Sequence, residues 1–248
     1  MNKITFSPSD FPNPGLEPVA DQIASFLFKY KSKFGDFCEL MRFSGNWSIS
    51  NYKSQLQKWE SSIIGRRGRK NAAPDTLQLI DLCHTFFSIC SSDDELRKMR
   101  GLVPEKLIEK VFSLRYNGRP HNIGYGVIVN VNGQPVRYQC SNPYDHGAED
   151  SDRNRQTVDA GAWDGNIGEF AEIKFRPEAF HTKDIKYLRT LAQRLVSDKI
   201  DYKIFLICFD DKNLTAEQLK KLHLWTESEF ILIGRNEVFD LQQSSYAA

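Results

Sequence analysis

Apolar residues recur at helical spacing through residues 16–34, where Val19, Ile23, Phe26, Leu27, Tyr30 and Phe34 line one side. The same periodicity predicts a helix over 49–63, capped by Ser48 or Ser50, and another over 75–90 with Leu79, Leu82, Phe86 and Phe87 on its apolar side. Between them lies a basic, breaker-rich loop, GRRGRKNAAPD (65–75). Near Arg100 the pattern changes. Residues 104–116 read as a helix that starts at Pro104, since proline suits a first helical position. The β-branched run 123–131 then meets Asn132-Gly133, a strong hairpin signal, with 134–140 as the returning strand. After a polar loop at 141–156 come two strands, 157–163 and 169–175, around the turn DGNIG. A helix over 183–198 precedes YKIFLICF (202–209), which does not alternate and so reads as a strand buried on both faces. A helix over 215–226, capped by Thr215, and short strands at 230–233 and 237–241 close the chain. The expectation is a helical region over 1–100 and a mixed α/β domain over 101–248, ordered α-β-β-β-β-α-β-α-β from residue 104.

Composition supports a folded chain and narrows its class. Of 248 residues, 40% are hydrophobic and 12% aromatic, enough for a core and against disorder along its whole length. No stretch nears the roughly 18 uninterrupted apolar residues of a membrane helix, and the N-terminus lacks the apolar run of a secretion signal. Cys38, Cys83, Cys90, Cys140 and Cys208 are scattered and never form CxxC, which suits reduced thiols and gives neither a disulfide framework nor a zinc site. A cytoplasmic protein without membrane partners is the expectation. Lysine and arginine total 33 against 32 acidic residues, so charge alone does not coat nucleic acid.

Chemistry concentrates in VDAGAWDGNIGEFAEIKF (158–175). Side chains alternate along a strand, so Glu172 and Lys174 share a face opposite Ala171, Ile173 and Phe175. On the preceding strand Asp159 opposes Val158, Ala160 and Ala162. A four-residue loop at 164–167 would set Asp159 across from Glu172 and gather Asp159, Glu172 and Lys174 on one face; neighbouring loop lengths would shift that register. Two carboxylates held close disfavour each other's ionisation, and a divalent cation removes the conflict. Mg²⁺ takes one or two carboxylates together with substrate phosphate oxygens, and a lysine beside it could orient the attacking water. The competing reading is an exposed hairpin with ordinary surface charges. Asp164, before Gly165, suits a turn better than a metal. Trp163 reads as packing on the hairpin. His121, His146 and His181 lack ligand spacing, and the acidic loop of Asp145, Glu149, Asp150 and Asp152 reads as solvated.

Asp159 followed by Glu172-Ile173-Lys174 resembles the PD-(D/E)xK nuclease superfamily, to which many restriction endonucleases belong. The resemblance implies a restriction-endonuclease-like core, a central mixed β-sheet flanked by helices with the order α-β-β-β-α-β, over residues 104–209. It implies that Asp159 and Glu172 hold Mg²⁺, with Mn²⁺ able to substitute, and that Lys174 assists the nucleophile. Many members carry a glutamate on the first core helix shortly after a glycine; Gly101-Leu102-Val103-Pro104-Glu105 makes Glu105 that candidate, with Glu109 one turn further along. Polar residues on the helix after ExK make Gln193 a further candidate. No proline precedes Asp159, a departure common in the superfamily.

Local basic charge fits a DNA partner. Arg66, Arg67, Arg69 and Lys70 fall between and beside Gly65 and Gly68, and residues 97–119 hold seven basic residues against Glu105 and Glu109. A solvated linker is the alternative for the 65–75 loop. The expected function is that of a Mg²⁺-dependent endodeoxyribonuclease of bacterial restriction or antiviral defence. The N-terminal helices would supply recognition, dimerisation or regulation. Double-strand cleavage would favour a homodimer, and a defence role could bring a partner protein or activating ligand. The alternatives are a non-catalytic DNA-binding or assembly module on the same fold and a DNA repair or junction nuclease.

Overall fold

A computed structural model of the chain describes residues 3–9, 15–65, 68–117, 122–140 and 154–243. The chain divides into two units. One is Pro12–Lys110; the other joins Met1–Phe11 to Val111–Ala248. The division expected at residue 100 therefore falls ten residues later, and the first residues leave the helical region altogether. Ile4–Pro8 form a strand, β1, that pairs antiparallel with residues beyond 120. The helical periodicity sought over 1–100 does not reveal so short a strand.

The helical unit contains α1 (Glu17–Lys29), α2 (Phe34–Phe43), α3 (Tyr52–Ile64), α4 (Pro74–Ser88) and most of α5 (Asp93–Arg115). The helix expected over 16–34 is thus two helices. A 3-10 turn at Lys31–Lys33 separates them, and both bury aromatic residues, Phe26 from one and Phe34 from the other. The helix expected to begin at Pro104 instead runs through it. Leu96, Met99, Val103 and Leu107 are all buried at three- and four-residue intervals. That continuous apolar stripe outweighs the local cost of an interior proline, about 3 kcal/mol. Cys83 and Cys90 are buried in this unit, as expected of core residues; burial pushes the Cys90 thiol up to about 11.

The second unit is built on a mixed sheet. Its strands are β2 (Asn122–Val131), β3 (Gln134–Pro135), β4 (Tyr138–Gln139), β5 (Asn154–Arg155), β6 (Thr157–Trp163), β7 (Ile167–Lys174), β8 (Asp201–Cys208) and β9 (Ile231–Ile233), together with β1. Among the described residues, seven strands form one sheet in the order β1-β2-β6-β7-β8-β9, with β3 beside β2. Pairs β7–β8 and β8–β9 are parallel and the rest antiparallel. Helix α6 (Thr182–Ser197) connects β7 to β8, and α7 (Lys212–His223) connects β8 to β9. The run Ile204–Cys208 is buried throughout, as its lack of alternation predicts.

Three expectations need correction. The hairpin turn forms, with Asn132 and Gly133 at φ 51° and 79°, but the returning strand pairs with β2 for only two residues. β1 occupies one edge of β2 and β6 most of the other, so Tyr138–Gln139 pair with Asn154–Arg155 in a separate two-stranded sheet. Residues 237–241 are not a strand. Arg235–Gln242 form a 3-10 helix, capped by Glu237 on the Gly234 N–H (3.1 Å), that still buries Val238 and Leu241. The cap of α7 is Asp211, which accepts the N–H groups of Asn213 and Leu214, rather than Thr215.

Phe6 of β1 explains a glycine at the heart of the sheet. A Cβ on Gly161 of β6 would lie 2.6 Å from the Phe6 ring, which also packs edge-on against Phe170 of β7 at 6.4 Å. The N-terminal strand thereby braces the two strands that carry the candidate site.

Candidate active site

The β6–β7 register is the one that a four-residue loop at 164–167 predicts. Ala160 pairs with Ala171, Gly161 with Phe170, and Trp163 with Gly168. The turn is closed by Asp164, whose Oδ1 accepts the N–H groups of Asn166 and Ile167 (2.9 and 2.8 Å), while Gly165 adopts φ 98°. Asp164 is thus a turn residue. Trp163 packs in the core.

One step beyond the Ala160–Ala171 pair, the strands exchange a side chain for a backbone acceptor. Asp159 Oδ2 accepts the Ile173 N–H at 2.7 Å. This fixes the carboxylate beside Glu172, whose side chain is completely buried. Lys174 Nζ lies 2.5 Å from Glu172 Oε1 and 3.7 Å from Asp159 Oδ2. Asp159, Glu172 and Lys174 therefore meet, and Glu172 and Lys174 are not ordinary surface charges.

Two further residues complete the cluster. Arg155 of β5 reaches in and donates from Nη2 to both Glu172 oxygens (2.9 and 3.0 Å) and to Asp159 Oδ1 (3.3 Å). Asp184, in the first turn of α6, uses Oδ2 to accept the His181 N–H (3.0 Å) and so caps that helix. Its Oδ1 lies 3.3 Å from Arg155 Nη1, in a geometry that makes no hydrogen bond, and is buried without a hydrogen-bond partner. The Tyr187 hydroxyl, one turn along α6, is likewise buried without one and lies in the field of Arg155 and Glu172.

With all three carboxyls ionised, they exceed the two cations by one negative charge. Burial, with Asp159 alongside, pushes the Glu172 carboxyl up to about 8. Burial works against the charge on Lys174, but Asp159, Glu172 and Asp184 outweigh it and hold the ammonium protonated far above neutral pH. The metal-free lysine is thus a donor and a positive charge, with its pKa raised rather than depressed.

A pH effect follows from Glu172. A carboxyl with a raised folded-state pKa stabilises the fold fully below its ordinary value of 4.5, and this contribution is lost as pH rises to about 8. The metal-free protein is expected to lose urea resistance across that window, and Glu172→Gln to lose less of it. Parallel urea midpoints for the two proteins between pH 5 and 8.5 would contradict this assignment.

The donor chemistry suits a hard divalent cation: oxygen ligands, excess negative charge and a buried carboxylate oxygen without a hydrogen bond. The present spacing is set by Arg155. Among the described residues, no three His, Cys, Asp or Glu side chains are grouped to hold an ion as they stand; a guanidinium lies among the carboxylates instead.

No protein-family model matches the chain, and no curated protein does. Its fold is similar to the crystal structure of protein VC1899 from Vibrio cholerae. The TM-score is 0.50 at 13% sequence identity, over 97% of this chain and 57% of that one. The chain thus spans little more than half the length of that protein. At this identity the likeness concerns architecture, an α/β fold with a mixed sheet flanked by helices.

The remaining predicted site residues are on helices. Glu105 belongs to the helical unit, with Oε1 folded back towards Gly101, and the ion pairs of Arg155 and Lys174 are made with Asp159, Glu172 and Asp184. Glu109 is paired with Lys106 at 2.9 Å. Gln193 is exposed and nine residues beyond Asp184, about 13 Å further along α6; Asp184 is the polar residue that this helix contributes to the cluster.

The basic segments are also more engaged than their sequence implies. Arg69 is ion-paired with Glu60 and Asp81, while Lys70 is exposed. Arg66 and Arg67 lie outside the described residues, as do Arg119, His121, His146 and the acidic loop. Within 97–115, Arg97 and Lys98 pair with Asp94, Arg100 donates to the Ser44 carbonyl, and Lys106 and Lys110 pair with Glu17 and Asp21. Arg115 is buried against Glu169. Much of this charge is therefore matched within the protein. Among the described residues, no helix is long and apolar enough to cross a membrane.

Proposed function

We propose that the protein is a Mg²⁺-dependent deoxyribonuclease that hydrolyses DNA phosphodiester bonds, an endonuclease of bacterial restriction or antiviral defence. The observation that carries this reading is the meeting of Asp159, Glu172 and Lys174 at the β6–β7 pair, with Glu172 wholly buried. With the two-residue strands β3, β4 and β5 set aside, the order α5, β2, β6, β7, α6, β8 is compatible with the α-β-β-β-α-β order of a restriction-endonuclease-like core.

Asp159 and Glu172 would hold the ion. When bound, it would polarise the phosphoryl group and lower the pKa of a water. Asp159 is kept in place by the Ile173 N–H, so its carboxylate needs no rearrangement of the strand. Lys174, held charged, orients the attacking water and sets a fixed positive charge against the negative charge that develops on phosphorus-bound oxygens. Tyr187 and the buried wall of α6 limit access of bulk water from behind Glu172.

One observation favours a second reading, a non-catalytic DNA-binding or assembly module. Arg155 already supplies a cation to the carboxylates, and a cluster neutralised in this way can be purely structural. Purified protein incubated with supercoiled plasmid separates the two. The wild type is expected to nick or linearise it with Mg²⁺, and neither EDTA-treated protein nor Asp159→Ala is expected to do so. Supercoiled, linear and single-stranded DNA left intact in both Mg²⁺ and Mn²⁺ would exclude an independent nuclease.

A further inference from the structure

Three carboxylates from three elements converge on one guanidinium. Asp159 Oδ1 of β6 lies 3.3 Å from Arg155 Nη2, and both oxygens of Glu172 of β7 accept from the same nitrogen at 2.9 and 3.0 Å. Asp184 Oδ1 of α6 lies 3.3 Å from Nη1. The point that all three face is a position for a cation. Arginine fills it imperfectly, because a guanidinium donates along fixed N–H directions in one plane. It hydrogen-bonds Glu172 and Asp159, but towards Asp184 it supplies charge without a hydrogen bond.

The two oxygens of Asp184 are used differently. Oδ2 accepts the His181 N–H at 3.0 Å, which caps α6 and fixes the carboxyl group. Oδ1 is turned to the cluster and buried without a hydrogen-bond partner, in a residue only 1% exposed. The cap needs one oxygen and does not account for the other. A buried carboxylate oxygen left this way is costly until an ion or a water completes it. The Tyr187 hydroxyl repeats the pattern one turn along α6. It is buried without a hydrogen-bond partner, in the field of Arg155 and Glu172. Residues three apart share a helix face, so Asp184 and Tyr187 present their open groups on one side.

A metal ion needs no N–H vector, so one hard divalent cation can take an oxygen from each of three carboxylates and still keep waters. We propose that Asp184 is a third carboxylate ligand of the metal site, its Oδ1 joining Asp159 and Glu172 on an ion that takes the place of the Arg155 guanidinium. This rests on reading Asp159 and Glu172 as metal ligands, and it extends their site from the β6–β7 hairpin to α6. The His181 cap orients the new ligand from outside the coordination shell, and Tyr187 offers its hydroxyl to a water that the ion retains.

The test is Mn²⁺ binding to the full chain, followed by loss of the free-ion electron paramagnetic resonance signal. Asp184→Asn keeps an oxygen for the His181 cap but removes the charge. It is expected to weaken Mn²⁺ binding about 10-fold or more, since even partners outside the coordination shell contribute that much. Arg155→Met vacates the shared position and is expected to tighten binding about 10-fold or more. Charge acts at a distance, so direct contact is read separately. Asp184→Cys with Cd²⁺ is expected to show thiolate-to-metal charge-transfer absorption beyond that of the wild type with its five cysteines. Equal Mn²⁺ affinity for wild type and a folded Asp184→Asn would overturn the assignment and leave Asp159 and Glu172 standing as ligands. A folded Asp184→Cys without the added absorption would overturn it too, and decides alone should Asp184→Asn fail to fold. Mn²⁺ bound no more tightly by folded Arg155→Met than by wild type would overturn the shared position. No Mn²⁺ binding by any of these proteins, Arg155→Met included, would remove the metal reading and the third ligand together.

Discussion

Replacing Lys174 with alanine is expected to reduce DNA cleavage about 10²–10⁴-fold, the usual cost of losing one group that assists proton transfer or stabilises transition-state charge. Lys174 is placed for such a role by strand parity, which sets it on the face of Glu172, and by proximity, with Nζ 2.5 Å from Glu172 Oε1. The loss also has a structural side. Without the ammonium, three carboxylates face Arg155 alone, so Lys174→Ala is expected to unfold at lower urea than wild type, and cleavage must be compared per folded molecule. Lys174→Arg separates the two effects, because it keeps the charge but changes the donor geometry. Full cleavage by folded Lys174→Ala would remove the residue from the chemistry.

The largest expected effect on stability lies on the same strand but the opposite face. Glu169, three residues before Glu172, accepts two hydrogen bonds of 2.6 Å from Arg115 Nε and Nη2, and a third from the Tyr116 hydroxyl. Arg115 also donates from Nη1 to the carbonyls of Leu241 (2.9 Å) and Gln243 (2.6 Å). Both side chains of the pair are at most 5% exposed. Removing one member of a buried pair leaves the other charge without compensation, at about 3–5 kcal/mol. Glu169→Ala is therefore expected to lower the melting temperature by roughly 6–20 °C for a chain of this size. Arg115→Met combined with Glu169→Leu should recover much of that, since an apolar replacement of both partners removes the desolvation cost as well. A Glu169→Ala protein as stable as wild type by calorimetry would show that the pair contributes little.

These two glutamates show what could be read from the residues and what could not. Glu172 was legible because its information is local: strand parity, the Asp164-Gly165 turn and one loop length place it beside Asp159. Glu169 carries the same side chain on the same strand, yet its partner stands 54 positions earlier, at the end of a helix whose long course through Pro104 local rules do not anticipate. Asp184 was hidden for a related reason. Its cap on His181 marks a helix start, but only the fold turns its second oxygen towards Arg155. Arg155 sits in a polar stretch without periodicity, and pairing with β4 rather than any spacing carries it to the carboxylates. In the basic stretch 97–115 the sequence records charges and not their partners, which are set by the fold.

The placement of β1 bears on how the chain folds. Pro8 pairs with Val127 and Ile4 with Val131, so the ladder joins residues 119 to 127 positions apart. The whole helical unit lies between them in sequence. During synthesis at about 5–20 residues per second, β1 waits roughly 6–25 s after it is made before its partner exists. The helices, whose contacts are local, can close in that interval, whereas Phe6 has no glycine bed at Gly161 until later still. The sheet that carries Asp159 and Glu172 is thus completed only after the helical unit has been made, and the strand that seals β2 is one made before that unit.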